Sequence, residues 1–217
     1  MSDAPSTRAF VVAIDGPAAA GKGTLAERLA AHLGLPYLDT GLLYRTIGKL
    51  MDERGFDLDD AELAGQIAAA LDPEDLKRDD LRGREAGELA SRVAVHPEVR
   101  SALVDFQRAF AGRAPGAVLD GRDIGTVICP QADVKIYVTA SPEVRARRRT
   151  DELAAKGREV DYERILAEVK ERDERDANRA VAPLKPAEDA TLLDTSDLDR
   201  DGAFAAAVAI VAAKRGA

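Results

Sequence analysis

The stretch AFVVAIDGPAAAGKGTLAERLAAHLG, residues 9–34, decides the fold. It opens on a continuous apolar run, residues 9–14, that ends at Asp15 and Gly16. A run apolar on every residue suits a strand of a parallel sheet covered on both faces. A Gly- and Ala-rich loop follows. After it Leu25, Leu29 and Leu33 recur at helical spacing, and Gly34 supplies a natural stop. The order is therefore strand, loop, helix. The loop itself reads Gly16, Pro17, Ala18, Ala19, Ala20, Gly21, Lys22, Gly23, Thr24. Between a strand and a helix, such a loop is a phosphate-binding loop. Its glycines let the backbone curl with the amides inward, and the helix N-terminus adds positive potential. Lys22 then reaches the outer phosphates of a nucleoside triphosphate, with ATP the expected donor.

One departure from the common form has a chemical consequence. The residue after the lysine is Gly23, and the hydroxyl comes one place later, at Thr24. Direct ligation of Mg²⁺ by the residue after the lysine is excluded, so no protein side chain is expected as a direct metal ligand. Mg²⁺ is expected to enter with ATP, held by phosphate oxygens and water, with Asp120 behind the water. Asp120 ends a short apolar run, and the carboxyl ends of parallel strands are where ligands bind in such sheets. Asp15 also ends a strand, but its place just before the loop suits a structural role. His32 and His96 are isolated and are expected to be packing or surface residues.

Outward from this unit the alternation repeats. Residues 36–39 and 117–120 are short strand candidates, residues 134–139 a longer one, and Leu192-Leu193 a fifth. A helix is expected through residues 45–54, another after Ser141-Pro142-Glu143, and an Ala-rich last helix from about Gly202. Strands alternating with helices predict an α/β domain with a parallel five-stranded sheet. Residues 57–112 are helical in pattern, charged and without a strand, and read as an insert. Residues 157–180 form a second charged helical stretch. Residues 1–8 read as a loose polar tail.

The 217 residues suffice for one well-cored domain, residues 1–217. A net charge of -8 speaks against broad nucleic-acid binding. Arginines nevertheless gather at residues 145–149 and 172–179, where they either bind phosphate or form solvated helix faces. Cys129 is the single cysteine, no apolar run nears the roughly 20 residues of a membrane span, and the N-terminus lacks a signal-peptide pattern. A cytoplasmic monomer without membrane contact is expected.

The Gly-Lys-Gly-Thr ending resembles the nucleoside monophosphate kinases. DTGLLYR (residues 39–45), DGRDIGT (residues 120–126) and ERDERDANRAVAPL (residues 171–184) narrow this to a resemblance to bacterial cytidylate (CMP/dCMP) kinases, over about residues 10–198. The resemblance implies a three-layer P-loop fold. It also implies a small monophosphate-binding insert (residues 57–112) and an arginine-bearing lid region (residues 145–180). The implied reaction moves the γ-phosphoryl group of ATP to CMP or dCMP. Arg45 and Arg122 are implied to hold the acceptor phosphate, and Thr40 stands near the cytosine nucleotide. Ser91, Arg100, Asp123 and Arg179 are implied to read the base, with Arg172 and Asp176 near the ribose. Arg148 and Arg149 lead into the lid. Lys22, Arg122, Asp120 and Arg148 are the expected catalytic set. By spacing alone, Arg172, Asp176 and Arg179 share a helix face, as do Arg145, Arg148 and Arg149. On spacing alone, a surface ion-pair ladder is the better account of the first trio, and only the resemblance favours a binding role.

Three rivals stand beside this reading. A GTPase switch would need an Asn-Lys-x-Asp segment, but the one asparagine is Asn178. A kinase for shikimate, gluconate or AMP is disfavoured by the second and third motifs. An ATP-binding adaptor would have no use for so many arginines beside a phosphate loop.

Overall fold

The structure, a computed structural model, describes residues 8–215, without the side chains of Pro73 and Arg84. The expected polar tail, apart from Arg8, lies outside the described residues. Five strands pair in parallel in the order β2-β3-β1-β4-β5, where β1 is Phe10–Asp15, β2 Tyr37–Asp39, β3 Gly116–Gly121, β4 Val134–Thr139 and β5 Thr191–Asp194. The predicted α/β class and parallel five-stranded sheet are thus found.

The pleat of β1 splits the core. Val12 and Ile14 face helices α1 (Lys22–Leu33) and α8 (Arg200–Arg215), where Leu25, Leu29, Ala207 and Val211 are buried with them. Ala13 faces the opposite layer with Leu119, Leu38, Ile124 and Ile128. Strand register fixes the functional edge. Asp39 pairs with Asp120, and Asp15 with both Gly121 and Tyr137, so three carboxylates end neighbouring strands at one rim.

The chain between β2 and β3 is a helical layer. It holds α2 (Thr40–Glu53), α3 (Ala61–Ala69), α4 (Arg84–Val93) and α5 (Pro97–Ala111). Leu43, Ile47 and Met51 of α2 are fully buried against Leu89, Val93, Val99 and Leu103. Each such side chain contributes roughly 1.5–3 kcal/mol. Gly48 lets α2 and α4 approach closely, since a Cβ there would lie 2.8 Å from Leu89 Cβ and 2.9 Å from the Leu89 carbonyl carbon.

Helix α2 starts earlier than the predicted residues 45–54. Asp39 caps it by accepting from the Gly41 N–H at 2.9 Å, so the first turn begins at Thr40. Helix α6 (Pro142–Ala155) begins as read, with Ser141 Oγ accepting from Val144 N–H at 3.2 Å. Helix α7 (Tyr162–Ala177) packs against α6 through Ala146, Ile165 and Val169. No helix among the described residues is long and apolar enough to cross a membrane.

Candidate active site

The site is built where β1, β2 and β3 end. After Asp15 the chain enters the loop through Gly16 at φ +149°, where any Cβ would meet the Val138 carbonyl oxygen at 1.9 Å. Only glycine fits that approach. Ala19 (φ 59°) and Gly21 (φ 87°) are both left-handed, and such turns swing successive amides toward one side. Helix α1 then starts at Lys22, whose side chain is buried and whose Nζ donates to the Pro17 carbonyl at 3.0 Å. Burial, with Arg122 adding to it, pushes Lys22 well below the usual lysine range. A polyanion in the loop would relieve that strain on its charge.

Asp15 is structural, as its position indicates. Its two oxygens accept from the N–H groups of Ile124 and Gly125, both at 2.7 Å, and so pin the segment after β3 against β1. Burial still raises its carboxyl to about 6. Asp120 accepts from the Tyr37 hydroxyl at 2.8 Å, and its main-chain oxygen accepts from Thr40 Oγ1 at 2.7 Å. Burial, and next the neighbouring Asp39, push Asp120 upward, while Lys22, Tyr37 and Arg122 pull the other way.

Across from it four guanidinium groups converge from separate elements. Arg45 of α2 donates to the Leu81 carbonyl at 2.8 Å, and Arg122 donates from Nε to Asp176 at 2.9 Å. Arg172 of α7 keeps its Nε buried with no partner. Burial first, then Arg122, Arg45 and Arg149, bring the Arg172 guanidinium down to about 10. Arg45 is lowered by burial, with Arg122 and Arg149 adding to it and Asp39 opposing. Clustered like charges with an unmet buried donor form a site for a multiply charged anion.

The residues expected around a base lie deeper, between α2, α5 and the segment after β3. Arg100 and Asp123, both buried, form an ion pair, and Arg100 also donates to the Ala94 carbonyl at 3.3 Å. The Arg100 guanidinium lies 5.7 Å from the Tyr44 ring centroid. Buried Arg179 donates from Nε to the Asp176 carbonyl at 3.3 Å but leaves Nη2 without a partner. Burial works against the Asp176 charge, yet Arg122, Arg172 and Arg179 hold its carboxyl below the usual range.

Two expected residues are placed differently from the rest. Ser91 Oγ accepts from Arg175 at 3.0 Å, so its hydroxyl bridges α4 to α7. Arg148 turns away from the arginine cluster. It donates to Thr195 Oγ1 at 3.1 Å, to the Leu198 carbonyl at 3.2 Å and to the Thr195 carbonyl. It therefore anchors the segment after β5, while Arg149 acts on Arg45 and Arg172. Arg148, expected at the reacting phosphates, is thus placed on Thr195 and Leu198, while its neighbour Arg149 points elsewhere, since successive residues on a helix lie about 100° apart. Sequence reading also passed over Tyr37, Tyr44 and buried Gln107, which interacts with Tyr44. Tyr44 lies within DTGLLYR, whereas Tyr37 and Gln107 lie outside the quoted motifs.

Residues 12–212 match the family described as cytidylate kinase. A cytidylate kinase of Paramagnetospirillum magneticum is 61% identical over 208 residues, covering 94% of this chain and 99% of that protein. One of Methylocella silvestris is 59% identical over 202 residues, covering 93% of this chain and 94% of its own. Among solved structures, an uncharacterized protein of Eubacterium ventriosum superposes with TM-score 0.55 at 15% identity over 94% of this chain and 98% of that one, a likeness of fold alone. The match runs through both phosphate-facing clusters and nearly the full length of the relatives, so the chain belongs to the cytidylate kinase family.

Proposed function

We propose that the chain transfers the γ-phosphoryl group of ATP to the 5′-phosphate of CMP or dCMP, giving ADP and CDP or dCDP. The observation that carries this reading is the partnerless Arg172 Nε within four converging arginines, facing a phosphate loop in a chain of this family. The Gly16–Thr24 amides and Lys22 hold the donor phosphates. Arg45, Arg122 and Arg172 hold the acceptor phosphate, and Arg149 closes the ring of positive charge. An oxygen of the acceptor phosphate attacks the γ-phosphorus as the bond to the β–γ bridging oxygen breaks. That oxygen is already anionic, so no general base is required, and catalysis consists of alignment and charge neutralisation.

Mg²⁺ fits the residues present. Among the described residues no three His, Cys, Asp or Glu side chains group as a metal cage. Yet Asp120 and Asp39 end adjacent strands, and burial together with the repulsion between the two carboxylates raises Asp120, a balance a cation would relieve. Asp120 would hold the ion through water, with phosphate oxygens supplying the direct ligands, and the ion would neutralise charge on the donor phosphates.

The base would lie against Asp123, Arg100 and Arg179. The Asp123 carboxylate accepts from the exocyclic amino group of cytosine, and the free Arg179 Nη2 donates to ring N3 or O2. Ser91 stays nearby through Arg175, Thr40 supports the Asp120 rim, and Asp176 orients Arg122 beside the ribose. Residues 57–112 serve as the monophosphate-binding insert and residues 145–180 as a closing lid. A monomer suffices, because every group named comes from one chain. A net charge of -8, with a cluster of arginines in the cleft, suits nucleotides rather than nucleic acid.

ADP release measured with and without CMP tests the reading. Release should depend on CMP or dCMP and fall by about two or more orders of magnitude in folded Lys22→Ala. Acceptor-independent release would make the chain an ATPase.

A further inference from the structure

Arg145 lies behind the phosphate loop rather than in the arginine cluster. It is 2% exposed, and every element it touches belongs to a different part of the site. Its Nε donates to the Ala140 carbonyl at 2.9 Å, at the start of its own helix. Its Nη1 donates to the Ala18 carbonyl at 3.1 Å and to Asp173 of α7 at 2.9 Å, and Nη2 completes the pair with Asp173. One planar guanidinium thus joins the loop, the end of β4 and α7.

The bond to Ala18 bears on the loop's function. In a trans peptide the carbonyl oxygen and the following N–H point in opposite directions. Drawing the Ala18 oxygen onto Arg145 aims the Ala19 N–H away from Arg145, into the loop. Ala19 is also the non-glycine residue held left-handed there, at φ 59°. That conformation is unfavourable for an alanine and persists only where surroundings impose it. Ala18 is itself partly exposed, so water could satisfy its carbonyl in the absence of Arg145. Water would not fix its direction. The second half of the fork reaches Asp173, which stands between Arg172 and Asp176 on α7. The donor loop and the helix that presents the acceptor-side arginine are joined through this one side chain.

We propose that Arg145 is a positioning residue for the donor site: it orients the Ala18–Ala19 peptide for phosphate binding and ties that peptide to α7. The proposal rests on Gly16–Thr24 being the donor-phosphate loop. Steady-state kinetics of Arg145→Met, Arg145→Lys, Asp173→Asn and Lys22→Ala, each with ATP and CMP varied separately and thermal midpoints measured, test it. Arg145→Met should raise the KM for ATP by about tenfold or more and lower kcat, with the KM for CMP within about twofold of wild type. Arg145→Lys keeps the buried charge, ensuring a folded variant, but reaches fewer acceptors and should fall between. Asp173→Asn weakens the fold while leaving the Ala18 contact, so its KM for ATP should stay within about threefold of wild type. The proposal is overturned if both Arg145 variants keep the wild-type KM for ATP and kcat while Lys22→Ala is inactive. It is equally overturned if Asp173→Asn raises the KM for ATP as much as Arg145→Met, or if both substrates' KM values rise together. Normal turnover in Lys22→Ala would instead remove the donor-loop reading itself.

Discussion

Lys22 shows how burial and function are set against one another at a single residue. A lysine taken out of water and placed near Arg122 loses protons more readily than an ordinary one. A bound triphosphate reverses that balance, because its negative charge favours the ammonium form. The sign follows directly. In free enzyme the group is partly neutral at any pH between its depressed value and the ordinary 10.5, and binding restores its proton. ATP binding at about pH 8 should therefore take up protons from the buffer, and Lys22→Met should abolish most of the uptake. Calorimetric titration in buffers of different ionisation enthalpy measures this, and proton release would contradict the arrangement. Lys22 was legible in the sequence because its loop is contiguous. The four-arginine cluster was only partly so. Arg45, Arg122, Arg149 and Arg172 come from four separate stretches of chain, and the local pattern of α6 offers both Arg148 and Arg149 without saying which faces inward.

The elements around the site depend on close approaches as much as on apolar patterning. Gly48 marks the tightest contact between α2, which carries Arg45, and α4, which carries Ser91. Its neighbour there is main-chain and Cβ atoms of Leu89, which cannot swing aside as a long side chain would. Gly48→Ala should force the two helices apart and cost roughly 1–3 kcal/mol, read as a thermal midpoint lower by several degrees. An unchanged midpoint would show that the layer can slide freely. Patterning alone placed the strands and the helical layer: β1 is apolar up to its closing Asp15, and β3 and β4 carry short apolar runs. It missed the first turn of α2. Gly41 in DTGLL reads as a breaker, but the Asp39 side chain caps that turn and lets the helix begin at Thr40. Partly buried Tyr44 and buried Gln107 interact from helices far apart in the chain, so no local pattern announces that contact.

At the scale of the whole molecule, an acidic protein gathers several buried arginines in one cleft and joins its walls by ion pairs. Arg122–Asp176 and Arg100–Asp123 link the segment after β3 to α7 and to α5 respectively. On the proposed reading, the unmet donors of Arg172 and Arg179 gain partners from the acceptor phosphate and the base respectively, and water is excluded from the donor. Residues 40–112 and 145–180 should then gain amide protection when a bisubstrate analogue joining the two nucleotides is added, while β1 and β4 change little. Hydrogen exchange followed by mass spectrometry reads this directly, and equal protection with and without the analogue would argue for a preformed, rigid cleft.

Acceptor choice tests the central claim. Uracil presents an oxygen and an N–H where cytosine presents its amino group and N3, so Asp123 would face lone pair against lone pair, and the donor of Arg179 would face another donor. Each unpaired buried group costs roughly 1–3 kcal/mol, and two of them amount to about a hundredfold or more in discrimination. The measurement is kcat/KM for CMP relative to UMP, with ATP and Mg²⁺, in wild type and in Asp123→Ala. Wild type should favour CMP by about a hundredfold or more, and Asp123→Ala should lower the CMP value and narrow the gap. Equal use of UMP by wild type, or an unchanged ratio in Asp123→Ala, would contradict the account.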